Sequence, residues 1–538
     1  MGKELLYKAF RCQPADTIPW VPFVGCHGGS LTRRPADEFL KSDSLIYEGM
    51  ARAIELYQPD GIPVLFDLQL EAEVLGCSLK WNKKTPPSVI SHPLTEGKKL
   101  DKMTVPGPGD GRIPLVMRAA AKLVDTFPQT GIYGLVTGPF TLALHLAGTD
   151  IFLKMLEDQD EMKDLMEFCT RVSETMAGYY IDSGCDIIAL VDPMTSQIDP
   201  LLFEEFVSPG AEKIFTFIRK REKLSSFFVC GHAQQNIEAM CLCRPDNISI
   251  DENIPLQYVR EAAGNHGISF GGNLKLTVVL LHGTETDCQR EALECMEIGG
   301  NKGFVLSPGC DLPYDTPPRN LQAISSLVKD SYLREVTRVT GKAPADVEHL
   351  NMKDYGLADK VIVDIITLDS ESCAPCQYMV EAVKKVAPHF EGIVEWREHP
   401  IKKLEGISFM SSLMVKNIPT ICIDGKISFV SRIPPQHELI LAIQKRINEK
   451  LRLKIRSKKG EILVLGHNEE EIAGLVSRIK TAVEETGKDI PIKTSLSREV
   501  IDSYGILLTP AVVITEYKLK SEGEYPSTEV IKEWIKSI

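Results

Sequence analysis

No run of apolar residues approaches the ~18 that a membrane span needs, so a spanning helix is excluded, and 43% apolar with 25% charged residues is an ordinary soluble composition. The net charge of -13 sits on mixed Lys/Glu stretches without a basic stripe, which argues against nucleic acid as the main partner. The opening MGKELLYKAF lacks the basic, apolar and small-residue regions of a secretory signal, and Leu6 stands where a myristoylation motif wants Ser or Thr. The expected location is the cytoplasm. There, 14 cysteines read as thiols, metal ligands or redox pairs and not as a disulfide frame. A length of 538 residues predicts two or three domains.

What is present is a repeating unit. Short apolar runs bounded by turn residues occur as WVPFVG (20–25), GIPVLFDL (61–68), GIYGLVTG (131–138), DIIALVDP (186–193), SSFFVCG (225–231), NISIDE (247–252), GISFGGN (267–273) and GFVLSPGC (303–310). Continuous apolarity suits strands buried on both faces. Stretches of helical period such as DEMKDLMEFCTRVSETMAGYYI lie between them. Eight such strands alternating with helices predict an α/β fold of the closed (β/α)8 TIM barrel type, with an open doubly wound sheet as the alternative.

In a barrel the chemistry sits on loops after the strand C-termini. The residues there are Cys26, His27, Asp67, Gly138, Asp192, Cys230, His232, Asp251, Glu252, Asn273 and Cys310. Two thiols and an imidazole in FVCGHA and SPGC pose the main question: a metal that activates a thiol, or polar strand ends satisfied locally. Cys12, Cys77, Cys169, Cys185, Cys241, Cys243, Cys288 and Cys295 fall off this rim and read as small buried hydrophobes.

The order IPWVPFVG, DGIPVLFDLQLEAEVLGC, TGPFTLALHLAG, ALVDPMTS, VCG, ISIDE, GGN and LSPGC resembles the uroporphyrinogen decarboxylase superfamily over about residues 3–330, and within it the methylcobamide:coenzyme M type of corrinoid-linked methyltransferase. Decarboxylases of that group carry an Arg-rich segment after the first strand. Here it reads VGCHGGSLTRR, with only Arg33 and Arg34 available and late. The methyltransferase resemblance implies zinc on a His-x-Cys pair and a distant Cys, holding the acceptor as a thiolate that attacks the methyl group of a corrinoid. Cys230 and Cys310 match the two cysteines, while the histidine position is Phe228. Residues 228, 230 and 232 share a face if the strand stays extended. His232 is then the replacement metal ligand, with Cys26 and His27 in reserve. A turn at Gly231 would swing the imidazole away, and a lost zinc site is the other reading. The resemblance also places Asp67, Glu71 and Asp192 in the catalytic set, although a helix cap serves Asp67 equally well. His27 and Asn273 fall to ligand binding. No Asp-x-His-x-x-Gly corrinoid signature occurs, so the cobamide is expected on a partner protein.

Barrel periodicity ends near residue 340, and a linker is expected over 341–358. VIVDIITLDSESCAPCQYMVEAVKKVAPHF then places Cys373 and Cys376 at a helix start after a strand. This resembles a thioredoxin-like redox site over 359–452, where the helix N-terminus favours the first thiolate. Pro419 in NIPTICIDG matches the cis-proline facing such a pair. A second copy over 459–538 repeats the pattern with Thr509-Pro510 but has GHNEEE in place of the cysteines, which leaves it no disulfide chemistry. Such a tandem resembles glutaredoxin-like disulfide oxidoreductases. The expected activity is methyl transfer between a corrinoid protein and a small thiol or similar acceptor, fused to a redox module with its own redox partner. The alternative is a thiol-disulfide oxidoreductase or electron-transfer adaptor whose barrel only binds.

Overall fold

The computed structural model describes residues 2–340, 350, 352, 355, 360–371, 373–415, 417–457, 461–486, 490–504, 506 and 508–515. Most of the expected linker over 341–358 lies outside the described residues. Residues 1–436 and 437–538 form two compact units, so the expected first thioredoxin-like module divides: its CAPC part up to residue 436 belongs with the barrel, and 437–452 with the second unit.

The barrel sheet runs in sequence order through Gly61–Pro63, Gly131–Thr137, Ile187–Val191, Leu224–Val229, Asn247–Ile250, Ser269–Leu274 and Phe304–Pro308, all parallel. This is seven strands where eight were expected. The missing one is WVPFVG, where Pro22, and Pro19 just before it, cannot donate to a ladder. It still closes the ring. The Leu306 amide donates to Pro19 O and the Val21 amide to Leu306 O, each at 3.0 Å, and the Asp60 amide donates to Trp20 O at 2.9 Å.

Strand side chains alternate in direction, which explains the unbroken apolar runs. Tyr133, Leu135, Ile187, Ala189, Val191 and Phe228 point into the barrel with Phe23 and Phe66. Ile188, Leu190, Phe227 and Val229 face the helical layer. Phe23, Phe66 and Phe228 pack edge-to-face or tilted with ring centroids 5.1 to 6.2 Å apart, and Leu6 and Phe10 from the N-terminal helix join the same interior.

The first thioredoxin-like module has strand order 394–400, 361–367, 420–423, 426–430, with the first pair parallel and the rest antiparallel. Helix Ala374–Val386 follows the Val361–Thr367 strand, and the Ile418–Pro419 bond is cis. The second unit repeats the theme with strands 492–495, 461–465 and 511–515 and a cis Thr509–Pro510 bond. At its empty cysteine position, the Thr509 hydroxyl donates to Glu471 at 2.6 Å.

Candidate functional site

Strand Leu224–Val229 ends at Cys230, and strand Phe304–Pro308 ends two residues before Cys310. The barrel brings the two sulfurs to 3.2 Å, with Cys230 donating. Both are half-buried and pack against the interior cluster that holds Phe228. The hydrogen bond to Cys310, followed by burial, pushes the Cys230 thiol far up. The next loops add carboxyls. Asp251 accepts from the Gly231 amide at 2.7 Å and from Asn253 Nδ2 at 2.6 Å, and burial raises it to about 6. Glu252 reaches about 8 through burial and the neighbouring Asp251 charge. Its Oε2 has no hydrogen-bond partner and lies against Gly309. Asp311, raised by burial, approaches Gly25.

His232 does not join this group. Gly231 adopts φ +85, which ends the extended chain, and His232 is exposed. Phe228 fills the histidine position inside the aromatic cluster and is 1% exposed. Among the described residues no three His, Cys, Asp or Glu side chains are placed to hold a metal ion. Two thiols without an imidazole do not fit the three-ligand zinc site that the resemblance implies. The reserve ligands are committed as well. His27 is buried with Nε2 2.7 Å from Tyr57 Oη and Nδ1 3.1 Å from Tyr314 O, and burial lowers it to about 4. Cys26 is buried, and burial raises its thiol.

The other expected site residues hold the rim together. Asp67 accepts from the Gln69 amide at 2.9 Å and pairs with buried Arg112 at 2.7 Å. Glu71 accepts from the Thr137 amide and hydroxyl, and Asp192 from the Phe140 and Thr141 amides and the Thr141 hydroxyl. Asn273 follows a cis Gly272–Asn273 bond and donates to Asp251 O and Ile254 O. Arg33 and Arg34 are exposed. Cys12 is half-buried, and the other off-rim cysteines are buried as expected.

In the redox module Cys373 caps helix Ala374–Val386, with Cys376 buried one turn in. The expected easy thiolate at Cys373 is not what the environment gives. Its hydrogen bond to Cys376, then burial, raises it, with Lys402 opposing. A cavity of about 630 Å³ lies between barrel loops and this module, lined in part by Lys80, Lys84, Tyr314, Gln377, Lys402 and Lys403. Cys230, Cys310 and Cys373 do not line it.

The uroporphyrinogen decarboxylase (URO-D) family model matches residues 1–331. The chain belongs to the uroporphyrinogen decarboxylase family. A thioredoxin domain model matches 461–536, the copy without cysteines. Among family relatives, the methylcobamide:CoM methyltransferase MtbA of Methanosarcina mazei is 28% identical over 338 residues, 61% of this chain and 97% of that protein. A uroporphyrinogen decarboxylase of Wolbachia pipientis is 25% identical over 305 residues, 54% of this chain and 86% of that one. A solved methyltransferase from Methanosarcina mazei aligns with a TM-score of 0.57 at 24% identity, covering 62% of this chain and 99% of that one, which supports the barrel fold. Glu252 and Asp311 are residues whose role sequence reasoning left unassigned. Their adjacency to Asp251 and Cys310 was the available signal.

Proposed function

We propose that this chain transfers a methyl group between a methylated corrinoid carried by a partner protein and a small thiol, as the printed names of its methylcobamide:CoM relatives suggest. The observation that carries this reading is the Cys230–Cys310 pair at the strand ends of the barrel. In the forward direction the acceptor thiol loses its proton, a sulfur–carbon bond forms and the cobalt–carbon bond breaks. The electron pair of that bond stays on cobalt as Co(I). Asp251, Glu252 and Asp311, in the loops next to the pair, carry raised carboxyls able to take that proton. We infer no zinc-dependent step, because among the described residues no third side chain is placed to complete a metal site with the two thiols.

The test is methyl transfer from free methylcobalamin to coenzyme M, followed by the cobalamin spectrum, with zinc measured by elemental analysis. Cys230→Ser and Cys310→Ser are each expected to lose at least tenfold in rate. Equal rates in wild type and both variants would remove the pair from the reaction. About one zinc per chain in wild type, lost in Cys230→Ser, would show that a third ligand moves in on binding.

A further inference from the structure

We propose that Cys230 and Cys310 are a second redox pair, and that their disulfide is reduced within the same chain by Cys373 and Cys376. This goes beyond methyl transfer and stands without it.

Four observations converge. The two barrel sulfurs are 3.2 Å apart, so a movement of about 1 Å brings them to the ~2 Å of a disulfide. Among the described residues no group of three His, Cys, Asp or Glu side chains is placed to hold a metal there. The redox module is docked on the barrel through the elements that frame its own active pair. Ala374, inside CAPC, packs against the barrel's core cluster, and Tyr378 is buried in it, its hydroxyl donating to Leu144 O at 3.4 Å. Gln197, after barrel strand Ile187–Val191, donates to Ser431 O at 2.8 Å and accepts from the Ile433 amide at 2.9 Å. The Ser431 amide in turn donates to cis Pro419 O at 2.7 Å. The neighbouring Ser196 lies under Gly231, one residue from Cys230. Finally, the two cysteine pairs lie within electrostatic range, because charge on Cys373 acts on Cys230. Lys402 of the module likewise acts on Cys373 and on Asp311 beside Cys310.

The exchange balances. A low-molecular-weight disulfide oxidises the barrel dithiol, taking two electrons and two protons. Deprotonated Cys373 then attacks Cys230 Sγ, forming a Cys373–Cys230 bond and releasing Cys310 as a thiolate. Deprotonated Cys376 attacks Cys373 Sγ, the Cys373–Cys376 disulfide forms, and Cys230 leaves. The two protons from the module end on Cys230 and Cys310. An external dithiol reductant restores the module.

The experiment uses the full chain in three forms: wild type, Cys376→Ser and Cys373→Ser. Each is oxidised with hydroxyethyl disulfide, alkylated and mapped by non-reducing peptide mass spectrometry, with circular dichroism as a folding control. Wild type is expected to give 230–310 and 373–376 linked peptides. Cys376→Ser lacks the resolving thiol and is expected to accumulate a link from Cys373 to Cys230 or Cys310. A second measurement adds reduced thioredoxin to the oxidised proteins. It is too large to enter the barrel, so the 230–310 disulfide of Cys373→Ser should be reduced at least tenfold more slowly than that of wild type. The proposal fails if Cys376→Ser carries only a hydroxyethyl adduct on Cys373. Failure also follows if the 230–310 link never forms while 373–376 oxidises fully, or if both proteins lose the barrel disulfide at one rate. No corrinoid is present, so these results do not depend on methyl transfer.

Discussion

His27 shows how burial turns a reactive side chain into a structural one. Unfolded, the imidazole takes a proton near pH 6.5; folded between Tyr57 and Tyr314 O it does so only near about 4. The stability it contributes is therefore complete above pH 6.5 and is lost as the pH falls toward 4. A gap of about 2.5 pH units corresponds to about 3 kcal/mol. His27→Gln is expected to lower the melting temperature at pH 7 but to shrink its further drop between pH 7 and 4.5. An undiminished acid drop would exonerate His27. Phe228 poses the converse case, an apolar ring where the sequence resemblance leads one to expect a histidine ligand. Its cluster also touches Cys230 and Cys310, so Phe228→His would set an imidazole beside both thiols. The lost aromatic packing should cost about 2–3 kcal/mol, while zinc content should rise toward one per chain. If elemental analysis finds no gain, the thiol pair is committed to other chemistry.

At the scale of elements, the runs read as strands were legible because apolar residues on both faces leave a sequence no other use in this pattern. Their ends were less so: GIPVLFDL pairs only over Gly61–Pro63, and NISIDE stops at Ile250. WVPFVG kept its place in the ring and lost its ladder, because Pro22 has no amide hydrogen to donate. Gly231 decided the fate of His232. One positive φ converts a shared strand face into a turn, and a glycine in the sequence permits either outcome. Gly231→Ala would place a side chain in the left-handed region with its Cβ 3.1 Å from Ser196 Oγ. We expect a loss of about 1–2 kcal/mol in chemical denaturation, and slower oxidation of Cys230 with Cys310. An unchanged midpoint would show that the turn can relax. In the second unit GHNEEE was legible as a dead redox site, and Glu471 accepting from Thr509 beside cis Pro510 is the arrangement that replaced it.

For the whole molecule, docking of the redox module is the feature with most functional consequence. Tyr378 is fully buried against the barrel, within 3.3 Å of His145 Nδ1. Tyr378→Ala should remove about 3–5 kcal/mol of packing. Hydrogen exchange in helix Ala374–Val386 is expected to quicken, and the Cys373 link to the barrel cysteines in the Cys376→Ser background to fall severalfold. Exchange rates equal to wild type would mean that this face carries little of the docking. The amino-acid sequence alone determined the barrel, the tandem thioredoxin-like repeat and the CAPC pair, because periodicity, glycine and proline placement and CxxC spacing are local and survive without neighbours. Only the tertiary structure decided that Cys230 meets Cys310, that His232 turns outward and that Asp67, Glu71 and Asp192 are tied to backbone amides and Arg112. It alone seated CAPC on the barrel. These depend on contacts between residues far apart in the chain, such as Gln197 and Ser431, 234 positions apart. Such contacts are set by barrel closure and side-chain packing, and nothing in the local pattern of the chain encodes them.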